Sequence, residues 1–480
     1  MSDTPVDVPF LPATEAAELD LLELARRGPV HFMGICGAGV SALAEYVARA
    51  GGQVTGCDAR PGGITPALQA LGVTVSAGHD VAHVAEATAV VTTAAVPVRH
   101  PELEAARQRG IPVLKRATAL GALVNRGRVV AVAGTHGKTT TTGMLATVLE
   151  EAELDPTAFV GGRMPGWDGG LRGGSTLYVV EADEYDRSFL ALRPDMAVVT
   201  TIEPDHMEIY GGVEALEEAF AEFLAPVPDG GLIAICADDP GAARVARGLP
   251  EDRTVPYAVD AEARLQAVDL EAGPDGTRFD AVLDGRSLGR FHLSVAGRHN
   301  VLNALATLAV ALHAGADTDA VARGLRRFRG VERRFQRLGE ARGVVVVDDY
   351  AHHPTEVAAT LMAARERFEG RRLVAVFQPH LYSRTHALWE RFGATLAEAD
   401  LVWVTDVYAA REEPMEGVTG ELVANAARDA GGEVTYYPAV DGLEDALLDT
   451  LRPGDVCVLM GAGDISDHAH ALLERLEAAS

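Results

Sequence analysis

The sequence predicts an α/β protein made of three successive modules, each built around a mainly parallel sheet. Short apolar segments with the character of buried strands alternate along the chain with segments of helical periodicity, the pattern of parallel sheets covered by helices. The chain has 480 residues, of which 48% are hydrophobic and 23% are charged. That length exceeds one ordinary hydrophobic core and fits two to four domains.

The order of these segments predicts the domain boundaries. We expect a polar and helical lead-in over residues 1–28, a Rossmann-like domain over 29–127, a central phosphate-loop domain with a mainly parallel sheet over 128–328, and a C-terminal Rossmann-like domain over 329–480. Between residues 262 and 296 the hydrophobic period changes towards two, with turn signals in "GPDG" and "DGRS". This change predicts a β-hairpin excursion from the central domain.

Charge and cysteine usage exclude some classes of function. The formal net charge of −27 argues against a nucleic-acid partner, because binding to the phosphate backbone needs a basic face. The four cysteines form no Cys-x-x-Cys pair, which is typical of a reducing cytosol. We expect a cytoplasmic protein without membrane insertion, since no apolar run reaches spanning length and the N-terminus lacks a signal-peptide pattern.

The first motif is "GICGAG", at residues 34–39, with Asp58 at the end of the following strand. Glycines in a strand-to-helix turn let backbone N–H groups approach a pyrophosphate. An acidic residue at the end of the second strand suits a ribose hydroxyl. The motif indicates a diphosphate more firmly than a nicotinamide cofactor, and a tight turn without a ligand remains open.

The second motif, "GTHGKTT", lies between an apolar strand and a helical segment. It resembles a phosphate-binding loop, but the place of that loop's usual first glycine holds Val132. Backbone amides would surround phosphate oxygens, Lys138 would add charge and Thr139 would ligate Mg²⁺. Lys138 is one of only two lysines in the chain, which favours a functional reason for its retention. The candidate nucleotide-binding residues are Gly134, Thr135, His136, Gly137, Lys138, Thr139 and Thr140.

Acidic residues follow two further strands of the central domain. "VVEADEYD" contains Glu181, Asp183, Glu184 and Asp186, and "TTIEPDHMEIYGG" contains His206. Carboxylates together with phosphate oxygens are the ligands that Mg²⁺ prefers, and a histidine can complete such a site. Glu181 directly follows an apolar strand, so we expect it to be partly buried and to have a partner. A solvated loop remains the alternative for Asp186.

The C-terminal part of the chain, from about residue 300, contains polar residues near predicted strand ends. Arginine suits carboxylate and phosphate oxygens because its guanidinium donates in a bidentate fork. Adjacent histidines before a proline, directly after the strand "GVVVVDD", are unusual for a plain loop. The candidates are Asn300, Asn303, Arg334, Asp349, Tyr350, His352, His353, His380 and Arg384.

Taken together, these segments resemble the Mur ligases, the ATP-dependent enzymes that add amino acids to UDP-N-acetylmuramate. The resemblance covers nearly the whole chain after residue 28 and rests on "GICGAG", "GTHGKTTTT", "EADEYD", "DHM", "GRHNVLNALA", "RRF", "DDYAHHPTE" and "FQPHLYSRT". The family's nucleotide loop is of the short Gly-Thr-x-Gly-Lys-Thr-Thr type, so the loop is intact. A nicotinamide oxidoreductase leaves these motifs unexplained, whereas a non-catalytic nucleotide-binding protein remains an alternative.

The lysine count limits the resemblance to two branches of the family. Most other Mur ligases use a carbamylated lysine in the central domain to help hold a second Mg²⁺, and here residues 128–328 contain no lysine except Lys138. The members that add L-alanine manage without one, and so does the related tripeptide-recycling ligase. Both stay open at this point. In place of a second arginine that some relatives have after Gln-Pro-His, this chain has Leu381.

The resemblance implies a role for each candidate residue. The substrates would be UDP-N-acetylmuramate and L-alanine, with ATP and two Mg²⁺ ions, for which Mn²⁺ could substitute, and the protein would be a monomer or homodimer. The carboxylate of the muramate would be activated as an acyl phosphate. UDP-substrate contacts would come from Gly37, Ala38, Gly39, Asp58, Thr92, Thr93 and Arg116. The phosphate loop, with Asn300, Asn303, Arg334 and Asp349, would bind ATP. Tyr350, His352, His380 and Arg384 would bind the amino acid. The metal ligands would be Thr139, Glu181 and His206, and the catalytic residues Lys138, Glu181, His206, His353 and Arg384.

Overall fold

The computed structural model describes residues 10–11, 13–16, 18–93, 95–205, 207–410 and 412–478. The chain divides into two compact units. Unit 1 comprises Met1–Ala267, Ala281–Gly289 and Leu302–Arg327, and unit 2 comprises Val268–Asp280, Arg290–Val301 and Phe328–Ser480. Three sheets form within the described residues. Residues 1–9 of the expected lead-in lie outside them, and the rest of the lead-in contains two short helices.

The first sheet is fully parallel and has the strand order β3-β2-β1-β4-β5. Its strands are β1 (Val30–Met33), β2 (Val54–Asp58), β3 (Thr74–Ala77), β4 (Ala89–Thr92) and β5 (Val113–Lys115). Its helices are α1 (Ala13–Ala16), α2 (Leu21–Arg27), α3 (Ala38–Arg49), α4 (Thr65–Ala70), α5 (Pro101–Gln108) and α6 (Arg116–Val124), with a 3₁₀ helix at Val81–Val84. The order reverses between β1 and β4, which opens a crevice at their carboxyl ends.

The second sheet has the order β15-β14-β13-β12-β11-β10-β6-β9-β7-β8. Its strands are β6 (Arg128–Ala133), β7 (Thr157–Phe159), β8 (Leu171–Arg172), β9 (Leu177–Ala182), β10 (Met196–Val199), β11 (Leu232–Cys236), β12 (Thr254–Ala258), β13 (Leu265–Gly273), β14 (Gly276–Leu283) and β15 (Arg286–Leu293). Its helices are α7 (Lys138–Glu151), α8 (Met207–Tyr210), α9 (Val213–Leu224), α10 (Pro240–Ala246), α11 (Arg298–Ala314) and α12 (Thr318–Arg327), with a 3₁₀ segment at Tyr185–Ala191. Because β6 pairs in parallel with β10 and β9, the ends of these three strands meet at one edge.

The predicted hairpin was one strand short. Residues 265–293 form the three strands β13, β14 and β15, because "GPDG" and "DGRS" each make a turn. The expected change to a period of two was correct, since residues along β14 alternate between more buried and more exposed positions. The sequence prediction assigned both turn signals to a single hairpin, so it gave two strands where the structure has three.

The third sheet has the order β16-β17-β21-β18-β19-β20, with β16 antiparallel and the other strands parallel. Its strands are β16 (Gln336–Ala341), β17 (Val344–Asp349), β18 (Arg372–Phe377), β19 (Leu401–Val404), β20 (Val434–Tyr436) and β21 (Asp455–Met460). Its helices are α13 (Pro354–Arg367), α14 (Tyr382–Leu396), α15 (Gly420–Asp429), α16 (Leu443–Thr450) and α17 (Ile465–Ala478). Val345 and Val347 pack in one core cluster while Val344 and Val346 pack in another. Because both faces of β17 are buried, its residues 344–347 form a continuous apolar run.

Within the part of the chain that the structure describes, no helix is both long enough and apolar enough to cross a membrane.

Candidate active site

Two glycines fix the shape of the loop after β6. Gly134 has φ of 132°, and a Cβ there would lie 2.1 Å from Thr200 Oγ1. Gly137 precedes α7 with φ of 84°, and its Cβ would lie 3.0 Å from Asn303 Oδ1. Left-handed backbone and close neighbours both require glycine at these positions. The predicted loop is therefore present, and Asn303 lies against it.

The end of β10 holds the loop in place. Thr201 O accepts from the Thr135 amide at 2.8 Å, and Thr201 Oγ1 accepts from the His136 amide at 3.0 Å. The Glu203 amide donates in turn to Thr135 Oγ1 at 2.9 Å. The loop amides of Thr135 and His136 are thus occupied by protein. The site also includes the start of the 14-residue helix α7, where Thr139 is buried and Thr140 is half-buried and the helix dipole favours negative charge.

Lys138 forms an ion pair that was not predicted. Its Nζ lies 2.8 and 3.0 Å from the two carboxylate oxygens of Glu184 and also donates to Gly134 O at 2.5 Å. Burial alone lowers the pKa of Lys138, but the carboxylates of Glu184 and Asp183 outweigh burial and raise it. The ammonium therefore stays charged, and a phosphate would have to compete with Glu184 for it.

Glu181 has the partner that its position demanded. Its Oε1 accepts from the Gly161 amide at 2.6 Å, which holds the carboxylate at the end of β9. A small crevice there is lined by Glu181, Asp183, Ser188 and Arg116, the last at the start of α6. The Arg116 guanidinium lies 3.6 Å from the Asp183 carboxylate. The first and second sheets thus bring a cation and two carboxylates to one place.

The turn after Glu184 is strained. Asp186 and Arg187 have φ of 55° and 52°, values that non-glycine residues rarely adopt. Asp186 lies 2.5 Å from Lys115, but its side chain is 38% exposed, so the solvated-loop alternative stays open for this residue. The Arg187 guanidinium lies 5.7 Å from the centre of the Tyr210 ring. Strain of this kind persists only where neighbours impose it, and it is common at functional sites.

The glycine turn after β1 is supported by Asp58. Its carboxylate accepts from the Cys36 and Arg60 amides, both at 3.0 Å. These bonds hold Gly37 at the start of α3. The contact between Asp58 and a ribose hydroxyl stays a prediction. Gly39 faces the Arg116 guanidinium, since a Cβ on Gly39 would lie 3.2 Å from Arg116 Nη1.

The remaining first-domain candidates follow the same edge. Ala38 begins α3. Thr92 ends β4 and is fully buried, and Thr93 Oγ1 accepts from the Ala95 amide at 2.9 Å. A Cβ on Gly34 would lie 3.2 Å from the Thr93 methyl group, so this threonine is next to the glycine turn. His206, the predicted metal ligand, lies outside the described residues.

In unit 2, Asp349 is a structural anchor at the end of β17. Its two oxygens accept from the Ala351 amide at 2.6 Å and the Phe335 amide at 2.7 Å. Burial raises its pKa to about 6, against the opposing charge of Arg334. Asn300, also in this unit, donates to Ala296 O at 2.6 Å.

Aromatic and basic side chains gather beside Asp349. The Arg334 guanidinium lies 5.0 Å from the centre of the Tyr350 ring, within cation–π range, and 3.7 Å from the Glu356 carboxylate. The His352 amide donates to Glu356 at 2.9 Å. Burial lowers the pKa of the His352 side chain, which Glu356 only partly offsets. This cluster can present a neutral imidazole and a fixed guanidinium to a polar ligand.

The other C-terminal candidates have different surroundings. His353 is buried and caps α13, its Nδ1 accepting from the Thr355 amide at 3.4 Å. Its catalytic role stays a prediction, beside this structural one. The His380 ring stacks on Tyr408 at 5.8 Å and lies 6.0 Å from His352. Arg384 is in the first turn of α14, which Leu381 precedes with φ of 71°.

Sequence reasoning missed several contributors. Glu184 was visible in "EADEYD", but only the fold reveals that it, and not its neighbours, reaches Lys138. Thr201 and Glu203 follow β10 and were missed as loop supports, because side-chain bonds to a distant loop have no local signature. Glu356 stands three residues after His353 and reads as an ordinary helix-start acid, favoured there by the dipole.

Comparison with known proteins identifies the family. The Mur ligase family catalytic domain matches residues 29–128, the Mur ligase middle domain residues 132–311, and the Mur ligase glutamate ligase domain residues 333–463. A UDP-N-acetylmuramate–L-alanine ligase from Acidothermus cellulolyticus is 46% identical over 446 residues, 92% of this chain and 93% of that protein. The chain belongs to the Mur ligase family.

Solved structures of Mur ligases support the fold. UDP-N-acetylmuramate–alanine ligase from Thermotoga maritima matches with a TM-score of 0.82 at 29% identity, covering 94% of this chain and 100% of that one. A murein peptide ligase from Psychrobacter arcticus matches with a TM-score of 0.69 at 27% identity, covering 94% and 99%. The three-domain α/β architecture predicted from sequence is confirmed, while the individual boundaries remain a prediction.

Proposed function

We propose that this Mur ligase joins L-alanine to the lactyl carboxylate of UDP-N-acetylmuramate and converts ATP to ADP and phosphate, a step of peptidoglycan synthesis. The named function of the relative at 46% identity, together with near-complete coverage of both chains, supports this substrate pair. The higher TM-score to the alanine ligase than to the murein peptide ligase, 0.82 against 0.69, points the same way.

One observation carries the proposal. The parallel strands β10, β6 and β9 are neighbours, so the phosphate loop lies between the segment after β10 and the carboxylates after β9. A glycine-shaped loop, a helix N-terminus, one buried lysine and strand-end carboxylates converge there. Ligands bind at such switch points in open α/β sheets, and this set suits a nucleoside triphosphate.

The reaction needs two anions to meet. The muramate carboxylate oxygen attacks the γ-phosphorus of ATP, and ADP leaves from the acyl phosphate that forms. The neutral amine of alanine then attacks the acyl carbon, inorganic phosphate leaves with the C–O bond electrons, and the amine loses a proton. Lys138 and the start of α7 would offset charge in the first step, which is the largest contribution expected in phosphoryl transfer.

The donor set also fits divalent cations. Thr139 and Glu181 would hold Mg²⁺, with His206 as a further candidate ligand, since hydroxyl and carboxylate oxygens suit this hard ion. When bound, Mg²⁺ would neutralise charge on the phosphate oxygens. We propose two ions, with Mn²⁺ as a functional substitute. Gly161 orients Glu181 by its amide hydrogen bond, which fixes the carboxylate before a cation binds.

The other domains supply the remaining substrates in this proposal. The N-terminus of α3, with Gly37, Ala38 and Gly39, would bind the UDP diphosphate, aided by Arg116. In unit 2, Arg384 would bind the alanine carboxylate. Its neighbours Tyr350, His352 and His380 would shape the site around the amino acid. We further expect a cytoplasmic protein that is a monomer or a homodimer. Analytical ultracentrifugation would distinguish these two oligomeric states.

The decisive test is phosphate release from Mg-ATP with UDP-N-acetylmuramate and one amine at a time. The amines are L-alanine, glycine, L-serine and L-Ala-γ-D-Glu-meso-diaminopimelate, and mass spectrometry identifies each product. Release that needs both UDP-N-acetylmuramate and L-alanine, with a product heavier by one alanyl residue, is expected. Turnover with the tripeptide alone would assign the chain to the recycling branch. Nucleotide binding without turnover on any amine would overturn the ligase assignment.

A further inference from the structure

A second polar cluster is buried in the first domain, apart from the residues proposed to bind substrates. His31 on β1, Cys57 on β2, His83 in the 3₁₀ helix and Glu102 on α5 each offer one ligand-type atom, and these atoms lie within 4.8 Å of one another. His31, Cys57 and Glu102 are each at most 1% exposed. A buried set of two imidazoles, a thiol and a carboxylate is unusual for a plain core.

The hydrogen bonds in this cluster leave one buried polar atom unsatisfied. His31 Nδ1 contacts Thr55 Oγ1 at 2.9 Å, which leaves Nε2 as the free ring nitrogen. Nε2 is buried and has no hydrogen-bond partner among the residues that the structure describes. Such an atom normally costs free energy and is rare in folded proteins.

The carboxylate of Glu102 is at the centre of the cluster. Its Oε1 lies 2.8 Å from His83 Nδ1 and accepts from the Asp80 amide at 3.0 Å, and its Oε2 lies 3.0 Å from His79 Nδ1. Cys57 Sγ is 3.6 Å from both oxygens. Of these partners, His79 and the Asp80 amide are the ones that would orient Glu102 from outside the coordination shell of a metal ion.

We propose that His31, Cys57, His83 and Glu102 bind one zinc ion. Four mixed nitrogen, sulfur and oxygen ligands suit the tetrahedral coordination of zinc, whose bonds of about 2.0–2.3 Å place ligand atoms roughly 3.5 Å apart. The ligand-type atoms here lie within 4.8 Å of one another, so binding would draw the more distant pairs closer together. Binding replaces the Cys57 S–H bond with a zinc–thiolate bond and releases that proton, and the His83–Glu102 hydrogen bond gives way to two metal bonds.

The site is structural in character. The four ligands come from two adjacent strands, a 3₁₀ helix and a helix, and all four positions of the ion would be filled by protein, as in structural zinc sites. Cys57 directly precedes Asp58, and the Cys57 carbonyl accepts from the Gly34 amide at 2.8 Å. The ion would therefore stabilise the base of the glycine turn. This inference does not depend on the ligase assignment.

The test uses the full chain, purified without chelators and dialysed with excess Mg²⁺ so that the phosphate-loop site does not retain zinc. Metal analysis should find about one zinc per chain in the native protein and in Cys457→Ala, a matched buried thiol in unit 2, and little in Cys57→Ala. Titrating metal-free protein with Co²⁺ should produce a thiolate-to-metal charge-transfer band in the native protein and in Cys457→Ala, but not in Cys57→Ala.

Folding of the variants is checked by circular dichroism, and His83→Gln provides a second route if Cys57→Ala does not fold. His83→Gln keeps the thiol, so the Co²⁺ band should persist while the affinity falls at least tenfold. Removal of zinc should lower the thermal midpoint, and its return should restore it. Absence of both zinc retention and a Co²⁺ band in folded native protein, or an equal band in Cys57→Ala, would overturn the proposal.

Discussion

We expect the proposed chemistry to depend most on Lys138, and the other lysine, Lys115, is its natural control. Lys138→Met should lower kcat by roughly 10²–10³, or about 2.7–4 kcal/mol, because a buried charge next to the phosphates is lost. Lys115→Met removes only a partly exposed ion pair with Asp186 and should leave most activity. Steady-state kinetics with saturating L-alanine would measure both. Equal losses in the two variants would contradict the assignment.

Variants of the ion pair between Lys138 and Glu184 allow the effect of Lys138 on stability to be measured apart from its effect on catalysis. Lys138→Met leaves the buried Glu184 carboxylate unpaired, which should destabilise unit 1 by about 3–5 kcal/mol. Adding Glu184→Gln should recover much of the stability, since no buried charge then remains, but none of the activity. Chemical denaturation and kcat of the single and double variants measure the two effects. Recovery of activity in the double variant would show that Lys138 acts only through Glu184.

Asp349 should make stability fall as the pH rises. Its pKa is raised to about 6 in the folded state, so between about pH 4 and 6 the folded state binds more protons than the unfolded state. The contribution is fully present below the unfolded pKa and is lost as the pH rises through 6, on the order of 2–3 kcal/mol. Asp349→Asn removes this dependence. As the pH rises from about 4.5 to 6.5, the thermal midpoint of Asp349→Asn should increase relative to that of the native protein. Parallel profiles of thermal midpoint against pH for the two proteins would contradict the raised pKa.

At the scale of elements, the phosphate loop depends on glycine for space as well as for conformation. Gly134→Ala places Cβ 2.1 Å from Thr200 Oγ1 at φ of 132°, whereas Gly51→Ala has φ of 81° and no atom within 4 Å. The control should cost about 1 kcal/mol of stability from strain alone. Gly134→Ala should cost more and abolish ATP binding measured by calorimetry. Normal ATP affinity in a folded Gly134→Ala variant would mean that this loop is not the nucleotide site.

The elements that were predicted correctly are those whose signal is local. β6 and β17 are buried on both faces, so they appear as continuous apolar runs, and the need of Glu181 for a partner followed from its place at a strand end. The Lys138–Glu184 pair could not be predicted, because it depends on sheet order and on the left-handed turn at Asp186. The His31–Glu102 cluster was missed for a similar reason, since its members are far apart and lack any metal-binding spacing.

At the scale of the whole molecule, the net charge of −27 should act on the anionic substrates proposed above. Basic side chains at the proposed sites are few and mostly paired, as Lys138 is with Glu184 and Arg116 with Asp183. Long-range repulsion should therefore slow the approach of UDP-N-acetylmuramate at low salt. L-Alanine is a zwitterion without net charge, so the same field should hardly affect it. The salt dependence measured for L-alanine is therefore the control for that measured for UDP-N-acetylmuramate.

Long-range repulsion should give this protein a salt response opposite to that of a basic nucleotide-binding protein. The Debye length shortens from about 30 Å at 0.01 M to about 10 Å at 0.1 M ionic strength, which screens repulsion across the surface but much less within the site. With Mg²⁺ held constant, kcat/KM for UDP-N-acetylmuramate should rise several-fold over this range while that for L-alanine stays nearly constant. A fall for UDP-N-acetylmuramate would show that local cations such as Arg116 dominate the approach, and a parallel change for both substrates would indicate an effect of salt on the fold.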